Sequence, residues 1–129
     1  LINLSAVYIY SDLLDSATLV LNKCLNFCPD YEPAIHQLAK INQIDGNTEK
    51  ATELFEKNLE NNYKYFPSYI GLAKLYFETG EDKLAIIKLK KCLSINPYYK
   101  PALLLLGNHY KSQGKTELAE KYLNSAKKL

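Results

Sequence analysis

Three side chains near the N-terminal end have the types and spacing that metal chemistry uses. Cys24 and Cys28 stand four residues apart, on one face if that stretch is helical, and His36 follows after Pro29 and Pro33. Thiolate and imidazole donors suit a structural zinc site, but such a site closes with four ligands and no fourth donor completes this set. Cys24 also shares a recurring position with Cys92 and Ala126, which reads as a small buried filler. No metal site is expected. His109 fails as a catalytic base because no acidic residue lies within a helical turn to orient it. Its position matches Val7, Ile41 and Leu75, a packing column, so a partly buried packing histidine is expected. Gly46, Gly80 and Gly114 are single glycines, not a phosphate-cradling run. The chain therefore carries no expected catalytic residue, cofactor site or nucleotide motif.

Binding chemistry is better represented. Lys40, Lys74 and Asn108 fall in one repeating position and would form a ladder of donors suited to carboxylates or backbone carbonyls. Ile70, Phe77 and Leu104, with Leu105, make an apolar shelf beside them, and Gly71 leaves space next to it. Helical periodicity adds His36, Gln43 and Lys111 to the same face. The candidate partner-binding set is therefore His36, Lys40, Gln43, Ile70, Lys74, Phe77, Leu104, Asn108 and Lys111. A freely solvated helix face does not carry so many apolar residues. The competing reading is that they pack against a neighbouring helix.

The elements that position these residues follow from a repeat. Pro33, Pro67 and Pro101 are spaced by 34 residues, and so are Gly46, Gly80 and Gly114. Between each proline and glycine runs a helical pattern. It contains a leucine column (Leu4, Leu38, Leu72, Leu106), a small column (Ser5, Ala39, Ala73, Gly107) and a third column of Tyr8, Asn42, Tyr76 and Tyr110. Proline suits a first helical turn, and glycine suits a left-handed stop. Asp12 occupies the stop position in the first unit. A second helix follows each stop, on Ala17, Leu21 and Cys24; Ala51, Phe55 and Asn58; Ala85, Leu89 and Cys92; and Ala119, Leu123 and Ala126. Pro29 and Pro97 close two of these helices. Each period is expected to be helix, tight turn, helix, short link.

Leu103-x-x-Leu106-Gly107-x-x-Tyr110 followed by Ala119-x-x-x-Leu123 resembles the tetratricopeptide repeat pattern, and Tyr69, Leu72, Ala73, Tyr76, Ala85, Leu89 and Pro97 repeat the match. The resemblance spans the chain in four copies, approximately 1–31, 32–65, 66–99 and 100–129, the first incomplete. It implies an all-α, right-handed superhelical solenoid of antiparallel helix pairs in one segment. It also implies that the candidate face lines a concave groove holding a partner's peptide or helix. The family's chaperone carboxylate clamp uses lysines, asparagines and an arginine. Here the corresponding columns read Ile70, Gly71, Leu104 and Leu105, so a conventional clamp is not expected. Asn42 in place of an aromatic and Tyr63 in place of a closing proline depart from the pattern, and Asn61-Asn62-Tyr63-Lys64 reads as a looser joint.

The remaining numbers bound the partners. The 129 residues carry a net charge of +2, and all 16 basic residues are lysine. Without arginine or a strong positive field, nucleic acid is not an expected partner. No apolar run reaches the roughly 18 residues of a membrane span. Three cysteines suggest a reducing, cytoplasmic setting rather than a disulfide framework. The expected partner is a protein or peptide, acidic or mixed apolar, and the expected activity is non-enzymatic scaffolding. The alternative is a structural spacer or self-association segment stacking end to end through Leu118, Tyr122 and Leu129. The chain reads as a piece of a longer repeat protein.

Overall fold

The prolines and glycines of the period fall where helices begin and end. The computed structural model describes the backbone of residues 2–128 and the side chains of residues 13–128. Among the described residues seven helices follow in order: α1 (Ile2–Phe27), α2 (Glu32–Ile44), α3 (Thr48–Asn61), α4 (Phe66–Glu78), α5 (Asp82–Ile95), α6 (Lys100–Ser112) and α7 (Thr116–Lys127). No strand occurs among the described residues.

Helices α2, α4 and α6 each carry their proline in the first turn, where the missing N–H has no helical acceptor to lose. Tyr31, Tyr65 and Tyr99 occupy the three N-cap positions, a 34-residue column that the sequence patterning did not single out. At the other end Gly46, Gly80 and Gly114 take φ of 84°, 80° and 76°, the left-handed region that side chains resist. The next residue then donates back five positions: Asn47 N–H to Asn42 O at 2.8 Å, Glu81 to Tyr76 at 2.8 Å and Lys115 to Tyr110 at 3.0 Å. This bond satisfies a carbonyl that the last turn leaves orphaned, and it aims the chain into the antiparallel helix.

The first unit departs from the expected helix pair. With Asp12 in the stop position the helix does not break, and α1 runs through it for 26 residues. Aspartate has a Cβ and resists the left-handed conformation a stop requires, whereas nothing in its chemistry prevents helix propagation. The first unit is therefore one long helix, and three helix pairs follow it. The expectations on Leu4, Ser5, Val7 and Tyr8 as column residues, and on Leu129 as part of a stacking end, lie outside the described side chains.

The chain divides into two compact units, Leu1–Tyr63 and Lys64–Leu129, and the division falls in the polar stretch flagged as a joint. In the first, α2 packs on both α1 and α3; in the second, α4 packs on α5, α5 on α6 and α6 on α7. The inward columns form the cores: Leu38, Leu72 and Leu106, Ala39 and Ala73, and Ala51, Ala85 and Ala119 are all buried. Gly107 marks a close approach of α6 to α7, since a Cβ there would meet the Leu123 side chain at 2.6 Å. Cys92 is fully buried as a filler, and desolvation pushes its thiol up to about 11. Cys24, expected to be its equivalent, is only half-buried.

Two asparagines of the second unit stand in columns that hold aromatic or small apolar residues elsewhere, and each is satisfied by a hydrogen bond. Asn42, in the aromatic column, donates through Nδ2 to Leu38 O on its own helix at 2.9 Å. Asn58, in the cysteine column, is fully buried and donates to Glu32 O at 3.0 Å, fastening α3 to the first turn of α2. A buried amide needs such a partner to offset its desolvation.

Candidate functional site

Helices α4 and α6 each turn their leucine and small columns onto the following helix. That leaves a second face, and in Lys64–Leu129 the two faces enclose a cleft of about 330 Å³. Ile70, Lys74, Pro101, Leu104 and Leu105 line it together with Lys100 and Asn108. Ile70 and Leu105 are half-buried, whereas Leu104 remains 37% exposed and Lys74, Lys100 and Asn108 are exposed. The arrangement is an apolar floor with two ammonium groups and one carboxamide at its edge, and no acidic residue lines it. It can take one or two apolar side chains and neutralise a carboxylate beside them.

Four of the nine expected residues, Ile70, Lys74, Leu104 and Asn108, therefore meet in one cleft. Phe77 does not line it. Its ring stacks on the half-buried His109 at 4.8 Å and 30°, and His109 also leans on Tyr110 at 5.5 Å, so the histidine is a packing residue. Lys111 is exposed near the end of α6 and does not line the cleft either. His36, Lys40 and Gln43 lie on α2 in the other unit. His36 is half-buried with its ring 5.4 Å from Phe55, and its pKa is lowered from 6.5, first by desolvation and then by the Lys40 charge. Lys100 was missed from the sequence, although it stands four residues before Leu104, a spacing that places both on one helical face.

The residues weighed for other chemistry are scattered. Cys24 is half-buried and Cys28 exposed, and no group of three or more His, Cys, Asp or Glu able to hold a metal gathers among the described residues. At the start of α7, Leu118 lines an open depression of about 600 Å³ with Lys115, Thr116, Glu117 and Lys121. Tyr122 stacks on Tyr110 at 5.8 Å and 18°, within its own helix pair. No described helix is long and apolar enough to cross a membrane.

Helix pairs recurring every 34 residues, with a small amphiphilic cleft between first helices, define an α-helical repeat protein. The chain belongs to the tetratricopeptide repeat family: residues 3–80 match the second ARM domain of tetratricopeptide repeat protein 21, and residues 66–99 and 101–129 each match a tetratricopeptide repeat. Among solved structures it is similar to MamA, with a TM-score of 0.75 at 25% identity over 98% of this chain and 74% of that one. A thermophilic tetratricopeptide repeat protein from Thermus thermophilus gives 0.74 at 23% identity, covering 96% of this chain and 70% of that one. A tetratricopeptide repeat protein from Parabacteroides merdae gives 0.74 at 23%, covering 96% and 50%. Among curated proteins, none matches. Proteins of this fold generally act as scaffolds for protein–protein interaction.

Proposed function

We propose that the chain is a protein-binding scaffold segment, its four repeats serving one partner, and that the cleft between α4 and α6 holds a short segment of that partner. The observation that supports this most is the lining: an apolar floor from Ile70, Leu104 and Leu105 flanked by Lys74 and Lys100, with no acidic residue. A complementary segment presents one apolar side chain next to an aspartate or glutamate. Lys111 extends the face of α6 and supplies a further polar contact, and His36, Lys40 and Gln43, at the equivalent repeat positions of α2 in the other unit, offer a second set of polar groups to a partner. The three free cysteines, one buried as a thiol, suit a reducing, cytoplasmic setting.

The test is a selection of random peptides on the immobilised wild-type chain, counter-selected on Lys74→Glu/Leu104→Ala. Both substituted residues are exposed, so helical content should not change. The expected enrichment is for an acidic residue beside a bulky apolar one, with binding lost in the double variant. Peptides that bind both proteins equally would remove the cleft from the function.

A further inference from the structure

The two cations of the α4–α6 cleft stand at opposite ends of it. Residues one period apart lie level on successive first helices, and the cleft is shared by two such pairs, Ile70 with Leu104 and Lys74 with Asn108. By the same register Lys100 is level with Phe66, eight residues before Lys74. At 1.5 Å per residue the two lysine positions are offset by roughly 12 Å along the helices. Ile70, Pro101, Leu104 and Leu105 fill the interval with apolar surface.

The two ends are built differently. At one, Phe66 is drawn onto Tyr99, with ring centroids 5.3 Å apart at 42°, and does not line the cleft. Lys100 of α6 is then the polar group there. At the other end Lys74 of α4 stands with the Asn108 carboxamide of α6. The cations therefore sit on different helices, on a diagonal across the apolar floor. Both side chains are exposed, and no carboxylate lines the cleft to neutralise either.

Separated cations call for separated anions. A single carboxylate could meet both ammonium groups only from the middle of the cleft, where it would rest on the apolar floor and lose hydration. Two carboxylates, one at each end, leave the floor to an apolar side chain. The spacing also selects the backbone. A strand rises about 3.3 Å per residue and alternates its faces, so residues i, i+2 and i+4 share one side and span about 13 Å. A helix needs about eight residues for the same span. A cleft of about 330 Å³ over that length averages roughly 5 Å across, narrower than the roughly 10–12 Å of a helix with its side chains. We propose that the cleft takes an extended segment of the form acid-x-apolar-x-acid, its apolar side chain on Ile70 and Leu104 and its carboxylates at Lys74 and Lys100. The motif rests on the peptide-binding reading of this cleft and adds to it a second acid, a spacing and a conformation.

Capped synthetic peptides test the motif by fluorescence anisotropy against the full chain, capping being needed because a free terminus would itself supply charge. One carries Glu-Ser-Leu-Ser-Glu in a Gly-Ser frame. The others are its two single-acid forms, a form with both acids on one side of the leucine, and a form with acids eight residues apart. The first is expected to bind about threefold more tightly than any of the others, an advantage that shrinks with added salt. Lys74→Glu and Lys100→Glu, at exposed positions, should keep helical content and each weaken its binding. Changing one acid of the peptide to lysine should restore binding to Lys74→Glu, and changing the other should restore it to Lys100→Glu. Equal binding of the two-acid and single-acid peptides, a preference for acids on one side or eight apart, or rescue of both variants by the same change would overturn the motif while leaving the cleft as the binding site. Absence of binding by every peptide would remove the cleft, and the motif with it.

Discussion

Cys24 and Cys92 are the same residue in the same column of the repeat, and they live in different environments. Cys92 on α5 is fully buried beneath α4, with its thiol driven up to about 11, whereas Cys24 on α1 is half-exposed. Their neighbours follow suit: Ala85 and Leu89 are buried, Ala17 and Leu21 are not. The difference therefore lies in what the chain does one turn earlier. Where Gly80 lets the backbone turn through φ of 80°, the first helix comes back to lie on the second. Where Asp12 stands, the helix continues and the apolar column is left open. Burial in this molecule is a property of the pair, and the pair depends on the stop.

The widest expected separation is in truncations of the column itself. Leu89→Ala removes a fully buried side chain from the α4–α5 pair and should cost about 2–5 kcal/mol of unfolding free energy in chemical denaturation. Leu21→Ala, at the equivalent half-buried position, should cost about 1 kcal/mol in dilute solution, in line with the smaller area it removes from water. Equal losses in dilute solution would mean that α1 is covered within the single chain, and the comparison would fail.

Overpacking the close approach comes next. At Gly107 even a Cβ would lie 2.6 Å from Leu123, so Gly107→Val forces α6 away from α7. The expected loss is about 1–3 kcal/mol, with Leu123 becoming more accessible to solvent. Thermal unfolding monitored by circular dichroism reads the loss. An unchanged midpoint would show that Leu123, itself half-buried, swings aside freely.

These contrasts also explain which parts of the structure were legible. The starts of α2, α4 and α6 and the turn within each helix pair follow from prolines and glycines because each acts on its own backbone, through a missing N–H or a tolerated positive φ. The buried leucine, alanine and glycine columns follow from periodicity for the same local reason. The run-through at Asp12 was not legible, because a weak stop is decided by competition between helix propagation and docking of the preceding segment. Within the site, Ile70, Lys74, Leu104 and Asn108 were legible as one face. Lys100 is at the first residue of α6, where a sequence pattern anchored on leucines fades. Phe77 shares the cleft face by periodicity but is drawn to His109, a ring–ring contact between helices that no single-helix pattern contains.

Swapping the stop residue addresses the cause directly. Gly80→Asp installs at the α4–α5 turn the residue that α1 has at position 12. Aspartate can enter the left-handed region, and nothing lies within 4 Å of the added Cβ, so the cost should be about 1 kcal/mol with the helix pair intact. Packing of Leu72, Ala73, Ala85 and Leu89 opposes opening. Should the variant instead gain helix, the stop residue alone would account for the form of α1.

The smallest expected effect comes from loosening a cover instead of removing it. Phe55 occupies the column of Leu21 but is buried, and the His36 ring packs against it from α2 at 5.4 Å. Burial and then Lys40 depress the pKa of His36, so the folded state prefers the neutral ring and the unfolded state takes up its proton first. The contribution of His36 is complete above its ordinary value of 6.5 and is lost as pH falls below it through the depressed folded value. Denaturation midpoints should therefore fall more steeply between neutral and mildly acidic pH in the wild type than in His36→Gln. Lys40→Gln should lie between the two, since it removes the second cause and leaves the first. If instead the wild type and His36→Gln run parallel, protonation does not disturb the packing over Phe55. The histidine would then be a cover that tolerates charge, and the contrast between Phe55 and Leu21 would rest on the presence of α2 alone.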